Sequence, residues 1–181
     1  MIFFHEHTDS TNRIAKEMVA EGAPTGTVVV AAAQSAGRGQ YGRTFNSPIG
    51  GLYFSYVVEP TLPPEKISLV TLATGLACRK VLSERFQLNA LIKWPNDLYL
   101  AGKKVAGILC EHLGNPNQPN TGNKVIIGVG LNVNSRIEQF DPEVQPLVTT
   151  LYEHTGHKRE LTSLLDGLLH VASVFLRRPL D

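Results

Sequence analysis

Residues 90–112, with the sequence ALIKWPNDLYLAGKKVAGILCEH, indicate most directly how this chain folds. They contain three candidate β-strands, at 90–94, 97–100 and 104–112. The last two are separated by the short Ala-Gly-Lys connection that a tight turn between strands requires. This part of the chain is therefore predicted to be rich in β-sheet.

Three more candidate strands lie on either side of this stretch. Residues 124–133 follow it, and the aromatic-rich segment LYFSYVV at 52–58 precedes it. Residues 27–33, TVVVAAA, form a continuous apolar run without polar alternation, which is typical of a strand buried on both faces. We expect this last strand to be central in its sheet.

Three segments have the apolar period of a helix. Residues 10–22 predict a short helix in which the side-chain oxygen of Ser10 or Thr11 caps the first turn. Residues 63–86 predict the longest helix, and 159–178 predict an amphipathic terminal helix.

The order of these elements predicts an α+β fold, with a mixed β-sheet and helices mainly on one face. A chain of 181 residues, 43% of them hydrophobic, buries roughly 70% of its unfolded surface and needs no metal or disulfide to form a core. We expect residues 1–181 to form a single domain. The turn-forming residues 114–123 predict an exposed, mobile loop.

Charge and cysteine content exclude several classes of protein. Seventeen Lys and Arg against sixteen Asp and Glu give a formal net charge of +1, so no overall field favours nucleic acid or an anionic membrane. Cys78 and Cys110 lie in apolar runs and favour packing roles. No apolar run approaches the roughly 20 residues of a membrane-spanning helix, the N-terminus is too polar for a signal peptide, and the scattered histidines predict no transition-metal site. We expect a cytoplasmic protein.

A glycine-rich loop follows the buried strand directly, at 34–43 (QSAGRGQYGR). Its glycines let main-chain amides converge on an anion, and Arg38 and Arg43 add positive charge with bidentate geometry. The loop therefore suits a phosphate or a carboxylate. A flexible connection without a ligand remains an alternative.

Three further segments carry candidate binding residues. Lys93-Trp94-Pro95-Asn96-Asp97 turns sharply and can project a carboxylate, or can be a plain turn. Two lysines begin the strand that holds Gly107, where a ligand can approach the backbone, although such lysines are often only solvated charges. In residues 127–134 the even positions are Gly, Gly, Asn and Asn, which predicts a gap with two amides beside it on one face, or a strand with bulges.

Five of these segments together resemble the catalytic domain of biotin protein ligases. In that family a Ser-Thr-Asn helix start, a Gly-Arg-Gly-x-x-Gly-Arg loop, Lys-Trp-Pro-Asn-Asp, Lys-x-Ala-Gly-Ile-Leu and Gly-x-Gly-x-Asn occur in this order. Here they span residues 10–134. The resemblance implies the biotin/lipoate ligase catalytic fold, similar to that of class II aminoacyl-tRNA synthetases.

The resemblance also implies a two-step reaction. Biotin and ATP, with Mg²⁺ held mainly by the phosphates, give biotinyl-adenylate. A lysine of a biotin carboxyl carrier protein, as in acetyl-CoA carboxylase, then attacks the adenylate. A homodimer formed through a sheet edge is a further expectation.

Site residues follow from the motif positions. The resemblance implies Arg38, Lys104 and Asp97 as catalytic residues, with Lys104 preferred to Lys103 because it stands three residues before Gly107. The residues implied in biotin binding are Ser10, Thr11, Gln34, Gly37, Arg38, Gly39, Lys104 and Gly107. Those implied in binding ATP and the adenylate are Arg38, Gln40, Arg43, Phe45, Lys93, Trp94, Asn96, Lys104, Asn132 and Asn134. No protein metal ligand is implied.

The sequence departs from the family pattern at two positions. Gln40 stands where many relatives have Arg, which predicts looser retention of the adenylate, and Phe45 stands where Trp is frequent. Segments resembling the family's DNA-binding and C-terminal domains are not recognised, so we expect no role as a DNA-binding repressor. Two alternative functions remain: lipoate or octanoate transfer to protein, and binding of biotin or an adenylate without transfer.

Overall fold

The computed structural model describes residues 1–60, 66–114 and 123–177. Nearly all of the predicted loop at 114–123 lies outside these residues, as do the first residues of the predicted helix at 63–86 and the last residue of the one at 159–178.

One mixed β-sheet organises the described part of the chain. Its seven strands are β1 (Ile2–Thr8), β2 (Val28–Gln34), β3 (Leu52–Val58), β4 (Leu91–Lys93), β5 (Asp97–Leu100), β6 (Lys103–His112) and β7 (Val125–Leu131). The spatial order is β1-β2-β3-β7-β6-β5-β4. β1 and β2 are parallel, and every other neighbouring pair is antiparallel. The predicted fold class is confirmed.

The apolar run of β2 serves two cores. Val28 and Val30 pack into the larger core, whereas Val29 packs on the opposite face of the sheet. Because successive side chains of a strand point to opposite faces, a strand covered on both sides has no polar alternation. β2 is covered on both faces, as expected, but it lies second from the edge and is not the central strand of the sheet.

In the described ranges four α-helices cover the sheet unequally: α1 (Thr11–Ala20), α2 (Ile67–Phe86), α3 (Leu151–Thr155) and α4 (Leu161–Arg177). The two long helices, α2 and α4, pack against each other, and buried residues of both enter the larger core. α1 packs on the other face against β2, β3 and β7. Helices are thus mainly on one face, and much of the other face is open for a site.

Two elements of the structure were not predicted. The edge strand β1 was not predicted, because only main-chain pairing with β2 and half-exposed side chains define it. The short helix α3 was also missed. None of the helices in the described residues is both long and apolar enough to span a membrane.

Candidate functional site

A cavity of about 290 Å³ lies on the face of the sheet that α1 covers only in part. Three groups of residues form its walls: the start of α1, the glycine-rich loop after β2, and the segment around β5. β6 and β7 contribute Gly107, Gly128 and Gly130. The five segments singled out in the sequence therefore meet in one place.

The floor of the cavity is formed by a phenyl ring lying on two glycines. Gly107 on β6 and Gly130 on β7 stand directly opposite each other. A Cβ atom on Gly130 would lie 2.4 Å from Cε1 of Phe45, and one on Gly107 would lie 2.9 Å from Cε2 of the same ring. The ring occupies this position because neither glycine has a side chain.

The start of α1 is held by a side chain from β2. Oε1 of Gln34 accepts a hydrogen bond from the main-chain amide of Thr11 over 2.8 Å, and Nε2 of Gln34 donates to Oγ of Ser47 over 2.9 Å. Ser10 is the N-cap residue, but its side chain makes no capping hydrogen bond. The predicted cap by Ser10 or Thr11 is therefore wrong: Gln34 satisfies the first amide, and the Ser10 hydroxyl lines the cavity.

Lys104 and Asp97 form an ion pair on the cavity wall. Nζ of Lys104 lies 2.8 Å from Oδ1 of Asp97 and 5.4 Å from the centre of the Phe45 ring. Both charged side chains are about three-quarters buried. The sequence motif favoured Lys104 over its neighbour, and Lys103 is indeed exposed and does not line the cavity.

A bulge in β6 gives Lys104 its position. Asp97 is paired with Gly107, but Tyr99 is paired with Lys104, so β6 has one more residue than β5 over this interval. Residues three apart in a regular strand face opposite sides of the sheet. The extra residue brings both Lys104 and Gly107 to the cavity side.

The glycine-rich loop folds back on itself beside the cavity. The main-chain amide of Phe45 donates to the carbonyl of Gly37 over 2.8 Å, and that of Gly39 donates to the carbonyl of Arg43 over 2.7 Å. Gly37 is buried below the loop and does not line the cavity. A Cβ atom there would lie 2.4 Å from the carbonyl oxygen of Phe45, so this turn requires glycine. Arg38 is exposed at the cavity.

The Lys-Trp-Pro-Asn-Asp segment forms another wall. The Trp94–Pro95 peptide bond is cis, and Asn96 is fixed to β6 because its Nδ2 donates to the carbonyl of Ile108 over 3.2 Å. Trp94 is 77% exposed at the cavity. Nζ of Lys93 donates to the hydroxyl of Tyr99 over 3.3 Å and lies over the same ring.

The cavity has an excess of positive charge. Four cationic residues line it: Arg38, Arg43, Lys93 and Lys104. Asp97 is the one carboxylate among the described lining residues, and within the described ranges only Lys104 of the four cations has a carboxylate partner. Such a site attracts phosphate or carboxylate groups. The described residues contain no group of three or more His, Cys, Asp or Glu side chains that could hold a metal ion.

Besides Gly37, two predicted site residues lie outside the cavity lining. β7 ends at Leu131, so the alternation of faces does not continue to Asn132 and Asn134. The side chain of Asn134 accepts from the main-chain amide of Arg159 and donates to its carbonyl. Asn132 donates to the carbonyl of Thr149, and its Oδ1 is buried without a hydrogen-bond partner in the described structure.

Sequence reasoning did not assign roles to several lining residues. These are Asn12, Tyr41 and Tyr99, with Gly128 beneath Asn12. A Cβ atom on Gly128 would lie 2.2 Å from Oδ1 of Asn12. The Ser-Thr-Asn motif itself contained the signal for Asn12.

Comparison with known proteins defines the class. The model of the Biotin/lipoate A/B protein ligase family matches residues 4–132. The chain belongs to this family. It is 34% identical over 169 residues to the bifunctional ligase/repressor BirA of Bacillus subtilis (strain 168), covering 93% of this chain and 51% of that protein. It is 35% identical over 171 residues to the biotin--[acetyl-CoA-carboxylase] ligase of Paracoccus denitrificans, covering 89% of this chain and 67% of that protein.

Solved structures agree with this assignment. Biotin protein ligase from Aquifex aeolicus, in complex with biotin and ATP, superposes with a TM-score of 0.82 at 34% identity, covering 97% of this chain and 70% of that one. Biotin protein ligase from Leishmania major, in complex with biotinyl-5-AMP, superposes with a TM-score of 0.73 at 29% identity, covering 96% and 74%. The chain spans about half the length of the BirA proteins of Bacillus that it matches.

Proposed function

We propose that this chain activates biotin with ATP and transfers it to a lysine of a biotin carboxyl carrier protein. The observation that carries the proposal is the combination of two environments in one cavity. Hydroxyl and amide groups of Ser10, Thr11 and Gln34 lie on the α1 side, and Lys104 and Lys93 lie on the β5 side. A ligand with a hydrogen-bonding ring and a carboxylate matches this combination, and phosphates match the further positive charge.

In the first step a biotin carboxylate oxygen attacks the α-phosphorus of ATP, and pyrophosphate leaves with the electron pair of the broken phosphoanhydride bond. Two negatively charged groups must approach each other for this bond to form. Lys104 and Arg38 are assigned to hold them together and to neutralise the charge. Asp97 is assigned to orient the ammonium of Lys104, from which it lies 2.8 Å away.

In the second step the neutral amine of a carrier lysine attacks the biotinyl carbonyl. An amide bond forms, AMP leaves, and the lysine nitrogen loses a proton. No side chain of the chain acts as a covalent nucleophile. The two cysteines are not nucleophiles either. Burial raises the pKa of the Cys78 and Cys110 thiols to about 12, so neither forms a thiolate at neutral pH.

The nucleotide is assigned to the cationic side, bound as its Mg²⁺ complex. The described lining contains one carboxylate, and this carboxylate is paired with Lys104. These residues therefore suit an Mg²⁺ ion that is held by the phosphates and enters as part of the substrate. Gly39, Gln40, Arg43, Trp94 and Asn96 are assigned to the adenylate side. Asn132 lies outside the cavity lining. Its assignment to the nucleotide is supported only by its buried Oδ1, which has no hydrogen-bond partner in the described structure, since a buried acceptor without a donor is costly.

Three parts of the proposal concern the cellular context. They are an acetyl-CoA carboxylase-type carrier as acceptor, pairing of two copies through a sheet edge, and residence in the cytoplasm. The acceptor is supported by the P. denitrificans relative, whose name is that of a ligase for acetyl-CoA carboxylase. The pairing of two copies is supported by the edge strand β1, which provides a surface for it.

The test is ATP-dependent transfer of labelled biotin to a purified carrier domain. The wild-type chain is compared with Lys104→Ala and Arg38→Ala, and with Lys103→Ala as the matched control next in sequence. We expect transfer by wild type and Lys103→Ala and a loss of about 10²-fold or more in the other two. Equal transfer by Lys104→Ala would contradict the assigned role.

Two further readouts separate the alternatives. Release of pyrophosphate without transfer would indicate an enzyme that forms the adenylate only. A larger rise in melting temperature with lipoate than with biotin would identify lipoate, and not biotin, as the substrate. The hydrogen-bonding groups of Thr11 and Gln34 favour biotin, because its ureido ring can pair with them. The apolar body of lipoate has no such ring.

A further inference from the structure

A chain of hydrogen bonds runs from outside the cavity to its wall. Glu111, on β6, does not line the cavity, and it pairs with Lys16 of α1. Nδ2 of Asn12 donates to Oε2 of Glu111 over 2.7 Å. Oδ1 of Asn12 lies 2.6 Å from Oγ of Ser55, which in turn lies 2.8 Å from Oγ1 of Thr11. Asn12, Ser55 and Thr11 are all buried.

Glu111 fixes the orientation of the Asn12 amide. A carboxylate has acceptors only, so the end of Asn12 that faces it must be the amino group. The carbonyl end of Asn12 therefore faces Ser55. The reverse orientation would place the amide oxygen against the carboxylate and lose the short hydrogen bond.

The orientation of Asn12 in turn fixes the hydroxyl protons. Oδ1 of Asn12 can only accept, so the single proton of Ser55 points to it and not to Thr11. Any hydrogen bond between the hydroxyls of Ser55 and Thr11 is then donated by Thr11. The other neighbour of this hydroxyl, Oε1 of Gln34 at 3.2 Å, is also an acceptor. Whichever of these two atoms accepts the hydrogen bond, the hydroxyl proton of Thr11 is donated within the protein and not to a ligand.

We propose that Glu111 is a positioning residue, which acts through Asn12 and Ser55 so that Thr11 presents only acceptor lone pairs to a ligand in the cavity. The site then selects a ligand with an N–H group at this position over one with a carbonyl or an apolar group. This inference rests on the proposed function, in which the ligand is biotin with its two ureido N–H groups.

The test exchanges donor and acceptor along the chain of hydrogen bonds. In Glu111→Gln the new amide group tolerates either orientation of Asn12, so only the longer hydrogen bond from Nδ2 of Asn12 to the carbonyl of Leu109, 3.4 Å, still favours the original direction at Ser55 and Thr11. In Asn12→Asp two carboxylates face each other. In the double variant, Asn12→Asp with Glu111→Gln, the glutamine donates to one aspartate oxygen and Ser55 donates to the other, so the original direction at Ser55 and Thr11 is restored.

Biotin affinity is measured by calorimetry, and steady-state transfer gives KM and kcat. We expect Glu111→Gln to weaken biotin binding about tenfold, the effect of one reoriented hydrogen bond, with KM raised and kcat at saturating biotin unchanged. The double variant returns to within about twofold of wild type. Glu17→Gln is the matched control, because Glu17 is an exposed carboxylate on α1 that pairs only with Arg13 in the described structure.

Several results would overturn the inference. These are unchanged biotin affinity in Glu111→Gln, or a double variant as weak as the weaker single variant. Melting temperatures are recorded for all variants, and if a single variant fails to fold, the comparison of the double variant with wild type decides. A wild-type chain that binds no biotin removes the proposed function itself, which distinguishes that failure from the failure of Glu111 alone.

Discussion

The main-chain amide of Thr11 donates to Oε1 of Gln34 over 2.8 Å, so a side chain from β2 completes the first turn of α1. The first amides of a helix have no partner within the helix. An N-cap side chain usually supplies one, but Ser10 at that position does not. The stability of α1 and the shape of the cavity therefore depend on the same glutamine, while the Ser10 hydroxyl contributes to the cavity alone.

This arrangement predicts a separation of stability from binding. Gln34→Ala should lower the free energy of unfolding by about 1–2 kcal/mol, whereas Ser10→Ala should change it by less than about 0.5 kcal/mol. Both variants should bind biotin more weakly. Urea unfolding and a biotin titration measure the two effects. A loss of stability in Ser10→Ala as large as that in Gln34→Ala would contradict the structure.

The glycines of the floor predict a second contrast. Gly130→Ala places a Cβ atom 2.4 Å from the Phe45 ring, so the ring must move, at a cost of about 1–3 kcal/mol and with impaired adenylate formation. Gly75→Ala, within α2, is the control, since its nearest contact is 3.6 Å away. That substitution should stabilise the protein by up to about 1 kcal/mol. Thermal unfolding and pyrophosphate release measure both. Full activity in Gly130→Ala would show that the ring position is not needed.

Gln40 lines the cavity, at the loop position where the resemblance to biotin protein ligases predicts arginine. Gln40→Arg adds a charge that can bind the adenylate phosphate, and we expect the release of biotinyl-adenylate to slow about tenfold. Loss of labelled adenylate after dilution measures this rate. Gln87→Arg adds the same charge at the exposed end of α2 and should leave the rate unchanged. Equal release from Gln40→Arg and wild type would refute the prediction of looser retention.

Asp9 predicts a small acid-dependent loss of stability. A hydrogen bond from Arg13 lowers the pKa of Asp9 from 3.8 to about 2. Partial burial acts in the opposite direction, and the hydrogen bond from the Ser10 amide adds to the lowering. Since the pKa in the folded state is lowered, the stabilisation is complete well above pH 4 and is lost as the pH falls through 2. Both side chains are more than one-third exposed, so the contribution is below about 1 kcal/mol. Asp9→Asn should be less stable than wild type at pH 6 and equally stable at pH 2. A difference that persists at pH 2 would contradict this cause.

Much of the fold could be predicted because hydrophobic periodicity is local. The runs that became β2, β3 and β7 and the apolar stripes of α1, α2 and α4 were visible within single segments. β1 could not be found in this way. Its side chains are half exposed and include His5, Glu6 and His7, and only its pairing with β2, more than twenty residues away, makes it a strand.

The candidate site was predicted to a similar extent and for a similar reason. Residue types suited to anions marked Arg38 and Arg43, the family resemblance added Lys93 and Lys104, and all four line the cavity. The prediction that the even positions from Gly128 to Asn134 share one face was wrong, because β7 and its pairing with β6 both end at Leu131.

The sequence by itself thus determined most of the secondary-structure elements, the residue types suited to anions and the family, since each is recognised from short segments of the chain. Only the tertiary structure decided that Gln34 holds α1, that a bulge turns Lys104 towards Gly107, and that Glu111 orients Asn12. Each of these depends on the direction of a hydrogen bond or the register of a pair between segments far apart in sequence. Spacing along the chain carries no information about either.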